Sequence, residues 1–532
     1  MCSPQMLEAR RVVAAPAESR RLGPSLLWSL LGVCVVAASV VLVGQLFWGA
    51  VDGQAWTAVS GDLDRWSTLA GHTGSALTAA VGLGMPLALA LAILLFRTDL
   101  PGRRGLIFVL VLAAALPVHV VSAAVLAVLG AEVLEGSALA LGAVHALAHL
   151  PLVTLVCGLA LSAVDGDLER SAATDGAGPL GVLWRITFRG ALGGLVAALL
   201  LLVLLTSTDY SVSDVLLVRT FAEEVYTLFA LHGRAAEPTL VALPMMALFG
   251  VVLRFLRRRF VSAAAGQPGR AAPHVFALGR SRAPVALSLW ALVLSFAGLP
   301  IGRLWALVGG FPELLASLRM FTPELLTSVA TCTAAAALAA LLAPSLAWSL
   351  ARRPMAGRLI ALWMVIMLSL PAPLLGIGLV ELLNRPGPSG ALYDSPAVLV
   401  LTYLLRFLPV AVLLVYPAAR AVPDELLHAA RADGCDNGQL QSRLVSPLLR
   451  PAAVIAFLVT WLLAMGELPA TLLVTPPGYT TAGARFFTLV HYGLAGEAAA
   501  LSLLSALCTL VPAALLAGLL LGRRRDFRSS LP

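Results

Sequence analysis

The sequence predicts an all-α polytopic membrane protein, with about twelve transmembrane helices arranged as two tandem parallel repeats of six. Three observations carry this. The mean hydropathy is +0.92 and only 12% of residues are charged, too few to cover a soluble domain. Apolar runs of about 20 residues recur, the length that crosses a bilayer's hydrocarbon core; lipid offers no hydrogen-bond partners, so such runs must be helical. A polar stretch between two apolar runs, "HAARADGCDNGQLQSRLVSP" (His428 to Pro447), has a counterpart 258 residues earlier.

The spans fall near 26–48, 74–96, 105–129, 138–161, 190–208 and 238–256, then 284–303, 324–350, 359–383, 396–418, 448–475 and 498–521. Residues 1–24 form a tail bearing Arg10, Arg11, Arg20 and Arg21. The run Ser25–Trp48 is too long for a signal-peptide core and reads as a first span. The first half covers 25–260, an Arg-, Gly- and Pro-rich linker 261–283, the second half 284–522, and a short tail 523–532. Arginine sets the orientation, because positive flanks stay cytoplasmic. With both termini inside, the inner segments hold Arg97, Arg103, Arg104, Arg257–Arg259, Arg352, Arg353 and Arg523–Arg525. The outer loops carry acids such as Asp62, Asp64, Glu132, Glu135, Glu223 and Glu224. This places the chain as a multi-pass protein of the cell's inner membrane.

Composition also excludes. There is no lysine, so no Walker A phosphate loop exists in this chain. The six cysteines, Cys2, Cys34, Cys157, Cys332, Cys435 and Cys508, form no CxxC pair; no disulfide framework and no metal site is predicted. No acid–base or metal constellation repeats at a membrane face, so the chain is not expected to be an enzyme. No nucleic-acid partner is expected.

At the 258-residue offset, "LERSAATDGAGPLGVLWRITF" from Leu168 lies over "LLHAARADGCDNGQLQSRLVS" from Leu426. Ala172 meets Ala430, Asp175 meets Asp433, Gly176 meets Gly434 and Ile186 meets Leu444. Upstream, Pro151 meets Pro409; downstream, Asp209 meets Glu467. Parallel repeats of this kind usually enclose a path between them. In the second copy Pro423, Asp424 and Glu425 suit a helix start, Leu426, Leu427 and Ala430 make an apolar stripe, and Gly434 supplies the turn that ends it. The result is a short helix–turn–helix along the membrane face, shaped to insert into a groove on another protein.

This pattern resembles the coupling-loop motif of ABC importer permeases: Glu-Ala-Ala, three residues, Gly, nine residues, Ile, one residue, Leu-Pro. The second copy, within 420–447, matches at His428, Ala429, Ala430, Gly434, Leu444, Ser446 and Pro447. The first, within 165–189, matches at Arg170, Ser171, Ala172, Gly176, Ile186, Phe188 and Arg189. Neither copy keeps the Glu and the first lacks the Pro. The segments "GELPATLLVTPPGYTTAGARFFTLVHYG" and "TSTDYSVSDVLLVRTFAEEVYTLFALHG" resemble those of the fused ferric-iron permeases, and the thiamine permeases share the two-half layout. The resemblance implies a permease that borrows a separate ATPase homodimer, which would bind ATP and Mg, and an extracytoplasmic binding protein. Asp175 and Asp433 join the docking set. Ferric iron is the cargo that the resemblance implies, with thiamine, a phosphonate-type compound or a polyamine as alternatives. An ion-coupled secondary transporter is the competing class; it would want ionisable residues or broken helices at mid-membrane in both halves.

Three path candidates remain. Arg406 stands inside an apolar run, where a charge faces a cavity or a partner. Asp209 and Glu467 end matching spans, either capping helix ends or forming an acidic vestibule. His145 and His149 share a helix face, and His119 lies nearby in sequence. The second half has Tyr403 and Phe407 instead, so a symmetric metal path is not expected; the three read as buried histidines bonded to neighbouring helices.

Overall fold

A computed structural model describes residues 24–51, 53–264 and 275–529. They are helical almost throughout; among them the strand-like feature is one isolated bridge, Thr98 to Phe276. The first half contributes α1 (Pro24–Gly49), α2 (Leu63–Arg97), α3 (Arg103–Ala114), α4 (Val118–Leu129), α5 (Ala138–Ser162), α6 (Gly166–Thr174), α7 (Phe188–Thr208), α8 (Ser211–Val215), α9 (Phe221–His232) and α10 (Ala236–Ala264). The second contributes α11 (Arg282–Val308), α12 (Phe311–Arg352), α13 (Pro354–Ser369), α14 (Ala372–Leu383), α15 (Ala397–Ala421), α16 (Asp424–Ala432), α17 (Ser446–Met465), α18 (Pro469–Val474), α19 (Ala482–His491) and α20 (Ala495–Ser529).

Nine helices among the described residues are long and apolar enough to cross a membrane, and two bent pairs raise the number to eleven, against the twelve expected. The expected spans 105–129 and 359–383 are not single helices. α3 meets α4 at 99° and α13 meets α14 at 105°. Pro117 and the Pro371–Pro373 stretch, inside those two expected spans, mark breaks rather than kinks. Pro117 and Pro371 are the N-caps of α4 and α14. Proline donates no N–H and pushes the residue before it out of helical conformation, and Leu370 accordingly sits at φ −73, ψ 119. Twelve-residue pieces such as α3 and α4 reach only about 18 Å each, short of a bilayer core. The expected span 448–475 is likewise divided: α17 ends at Met465 and α18 restarts at Pro469. The span expected at 238–256 lies within α10.

The tail 1–23 and residues 265–274 of the linker lie outside the described residues. Of the expected C-terminal tail, residues through Ser529 continue α20. The linker's end is docked: Phe276 N donates to Arg97 O at 2.8 Å, and Leu278 N to Asp99 Oδ1 at 2.9 Å.

Small residues let the helices close up. A Cβ on Gly142 of α5 would fall 2.1 Å from Ala76 O of α2. The two leading helices cross over: α1 packs on α12 and α14 of the second half, and α11 on α4 of the first. Trp363 Nε1 of α13 also donates to Ser39 Oγ of α1 at 2.8 Å.

Candidate functional site

The two polar stretches fold alike. A 258-residue shift lays α6 on α16 end to end, and lays α5, α7 and α8 on α15, α17 and α18 to within one residue. Arg170, Ser171 and Ala172 lie in α6; His428, Ala429 and Ala430 lie in α16. Asp175 and Asp433 follow as C-caps. Gly176 and Gly434 then adopt φ +89 and +83, the left-handed conformation that a side chain would strain. Each turn closes the same way: Ala177 N donates to Ala172 O, and Cys435 N to Ala430 O, both at 3.0 Å. A π-helical turn follows in each half, Leu183–Thr187 holding Ile186 and Leu440–Val445 holding Leu444. Pro447 sits in the first turn of α17. Arg170, Ser171, Asp175 and Gly176 are exposed, as are His428, Ala429, Asp433 and Gly434; Ala172, Ile186, Ala430, Leu444 and Pro447 are half-buried. We call these two structures the elbows.

What fixes each elbow differs, and the sequence reading missed it. Glu169 of α6 is fully buried and paired with the equally buried Arg97 at the end of α2. Thr187 Oγ1 donates to Glu169 at 2.6 Å, and Arg97 Nη1 to Leu161 O at 3.1 Å. The second elbow has Leu427, also buried, where the first has Glu169. It is tied instead by Arg352, which pairs with Asp424, bonds Val422 O, and lies over the Trp348 ring at 5.3 Å. The available signal was a buried-position mismatch, Glu against Leu, between two otherwise matching copies.

The end of the molecule away from the elbows gathers the other candidates. Asp209 follows α7 and Glu467 follows α17. Asp209 accepts from Val212 N at 3.0 Å and Ser211 Oγ at 2.8 Å; Glu467 accepts from Ala470 N at 3.1 Å. Each carboxylate thus caps the short helix after it. Arg406 is not a loose cation. Its Nη1 donates to Leu370 O at 2.6 Å, the carbonyl left at the break between α13 and α14, and its Nε lies 4.0 Å from Glu467 Oε2. The histidines differ from expectation, since they are buried without the helix–helix bonds foreseen for them. His145 and His149 stack with ring centroids 5.5 Å apart, and His119 lies against Phe486 of the other half at 5.0 Å. His119 Nδ1, His149 Nε2 and both His145 ring nitrogens have no hydrogen-bond partner among the described residues. Nearby, His491 of α19 meets Asp214 of α8 at 3.1 Å across the halves. Burial raises the Asp214 carboxyl above its usual range, and its Tyr210 hydrogen bond and the His491 charge partly offset this. Among the described residues no three His, Cys, Asp or Glu stand where they could hold a metal ion.

An all-helical, multi-pass membrane protein with two matched elbows is the class that this fold and site define. Residues 336–524, which contain the second elbow, match the family model of the binding-protein-dependent transport system inner membrane component. The chain is 36% identical over 141 residues to the ABC transporter permease protein ORF1 of Streptomyces antibioticus, covering 26% of this chain and 60% of that one. It is 33% identical over 84 residues to the diacetylchitobiose uptake system permease protein DasC of Streptomyces coelicolor, covering 16% of this chain and 30% of that one. The chain thus matches less than two thirds of the length of either relative.

Proposed function

We propose that the chain is the membrane permease of an ATP-driven, binding-protein-dependent importer, with both permease halves fused in one polypeptide as two parallel sets of six spans. The observation that carries this is the pair of elbows: helices of equal length, each closed by a left-handed glycine and followed by a π-turn. On this reading the bent pairs each count as one span, the elbows and both termini are cytoplasmic, and Arg-rich ends agree with that side. One elbow docks into each subunit of an ATPase dimer, which binds ATP and Mg. An extracytoplasmic binding protein delivers cargo at the opposite end.

Ferric iron as cargo rests on segment resemblance. Iron(III) favours several hard oxygen ligands together, and the described residues offer no such group. A relative named for diacetylchitobiose uptake favours a small polyhydroxylated solute, which is the cargo reading taken forward. A break in each half, α3–α4 and α13–α14, is a feature that an ion-coupled carrier would share, but that class is disfavoured because Arg406 and the histidines have no counterparts of like charge in the opposite half.

The test is uptake into vesicles holding the chain, its ATPase and its binding protein. Uptake that needs ATP and stops with vanadate is expected. Full-rate uptake with no ATPase present overturns the proposal.

A further inference from the structure

Asp209 and Glu467 occupy matching places, yet the polar groups beside them differ in how fully they are satisfied. In the second half, Thr471 Oγ1 donates to Tyr403 Oη at 3.1 Å, Phe407 has no polar atom, and Arg406 is held by Leu370 O and Glu467. In the first half the matching residues are His145 and His149. Both are buried, 0% and 6% exposed. His145 Nε2 stands 3.7 Å from Asp209 Oδ2, beyond hydrogen-bond reach. Three of the four ring nitrogens have no hydrogen-bond partner among the described residues. Burying a donor or acceptor unpaired is costly, and native structures rarely tolerate it without a reason. Packing alone would be met by the tyrosine and phenylalanine that the other half uses. The cluster also stands beside the seam between halves: Tyr210, next to Asp209, lies 6.0 Å from the ring of Phe487 in the second half.

Resting on the import reading above, we infer that His145, His149 and Asp209 form a one-sided recognition site for the hydroxyls of a polyhydroxylated solute, entered when the two halves part at their seam. Each neutral imidazole offers one N–H donor and one acceptor nitrogen, and the carboxylate accepts twice. That set suits neighbouring hydroxyls, each of which both donates and accepts. Asp209 stays anchored meanwhile, because Val212 N and Ser211 Oγ hold it. A site on one wall only, whose second-half counterparts Tyr403 and Arg406 are already paired, orients the solute without gripping it from both sides. A passage needs that balance, since a cargo must leave as readily as it enters.

The test uses the full complex of chain, ATPase and binding protein in proteoliposomes, with radiolabelled diacetylchitobiose and maltose as probes. The double variant His145→Tyr with His149→Phe rebuilds the second-half pair in the first half. The double variant His145→Asn with His149→Gln keeps a donor and an acceptor at each position. Replacing the pair by Tyr and Phe should lower ATP-dependent sugar uptake about tenfold or more, whereas Asn and Gln should keep it within about threefold. Equilibrium binding of the same sugars to the purified complex should follow the same order. Equal behaviour of the two doubles, both active or both inactive, overturns the inference, because the rings then serve packing or bind water only. If the parent complex imports iron(III) with ATP and neither sugar, the solute class is wrong and the import reading survives. If the parent moves either sugar without ATP, the import reading itself falls.

Discussion

The first elbow hangs on a buried charge pair and the second on an apolar plug with an ion pair at its edge. The helix bounds nonetheless match at the 258-residue offset, α6 on α16 and α7 on α17 to within one residue. The comparison teaches that left-handed glycines, caps and the π-turn specify the shape of the elbow, while the anchor beneath it is free to differ. Anchors of different chemistry need not yield equally under load. A buried ion pair is specific in geometry but intolerant of losing one member; an apolar plug is more forgiving. The linker adds to the imbalance, because Phe276 bonds the backbone of Arg97 and lies 5.7 Å from its guanidinium, on the first elbow's side alone among the described residues.

The largest effect should come from giving the first elbow the residue of the second. Glu169→Leu copies Leu427 and strands Arg97 in the protein. Breaking a buried pair this way costs about 3–5 kcal/mol, and Thr187 loses the nearer of its two acceptors, keeping Val182 O at 3.4 Å. The purified protein should melt markedly lower and should no longer retain an ATPase partner. The double variant Glu169→Leu with Arg97→Met removes both charges and should recover most of the loss. If the single and double variants melt alike, the pair is not what holds this elbow.

Much of this was legible before any coordinates. Long apolar runs separated by Arg-bearing loops are helices for a reason that needs no tertiary knowledge, since lipid satisfies no backbone group. The elbows were legible because glycine at a fixed distance from a short amphipathic helix is a local code: Gly176 and Gly434 turn where their conformational freedom is needed. The breaks were not legible. "AAALPVHVV" and "LSLPAPLLG" are continuous in hydropathy, and a proline in a membrane helix kinks it or ends it according to what receives the freed carbonyl. For Leu370 that receiver is Arg406, distant in sequence and conspicuous only as a charge in an apolar run. Arg97 and Glu169 were hidden for the same reason. Each looks like an ordinary flank residue, and only folding brings α2 under α6.

A medium effect tests the break. Arg406→Ala copies Ala148, the residue at the matching place in α5, and leaves Leu370 O and one side of Glu467 without their cation. An orphaned buried acceptor costs about 1–3 kcal/mol. Adding Glu467→Gln should return part of it, by removing the charge that Arg406 faces. A melting temperature unchanged by Arg406→Ala would mean that the carbonyl finds another donor, and that the second half does not rely on this residue to hold its bend.

The smallest effect belongs to the second elbow's edge. Asp424 is mostly exposed, and Arg352 keeps Val422 O and the Trp348 ring when it is lost. Exposed pairs contribute about 0–1 kcal/mol and fade with salt. Asp424→Ala should therefore lower the melting temperature slightly, and less at high ionic strength than at low. Asp424 also sits in the first turn of α16, where an acid favours the helix's positive end, so a small salt-dependent loss is expected even from the helix alone. The informative result is the ratio to Glu169→Leu. A much smaller loss means that the plug Leu427 carries the second elbow, as the buried position implies. A loss as large, and insensitive to salt, would mean that both elbows rest on charge, and that the difference between the halves lies only in where each keeps its ion pair.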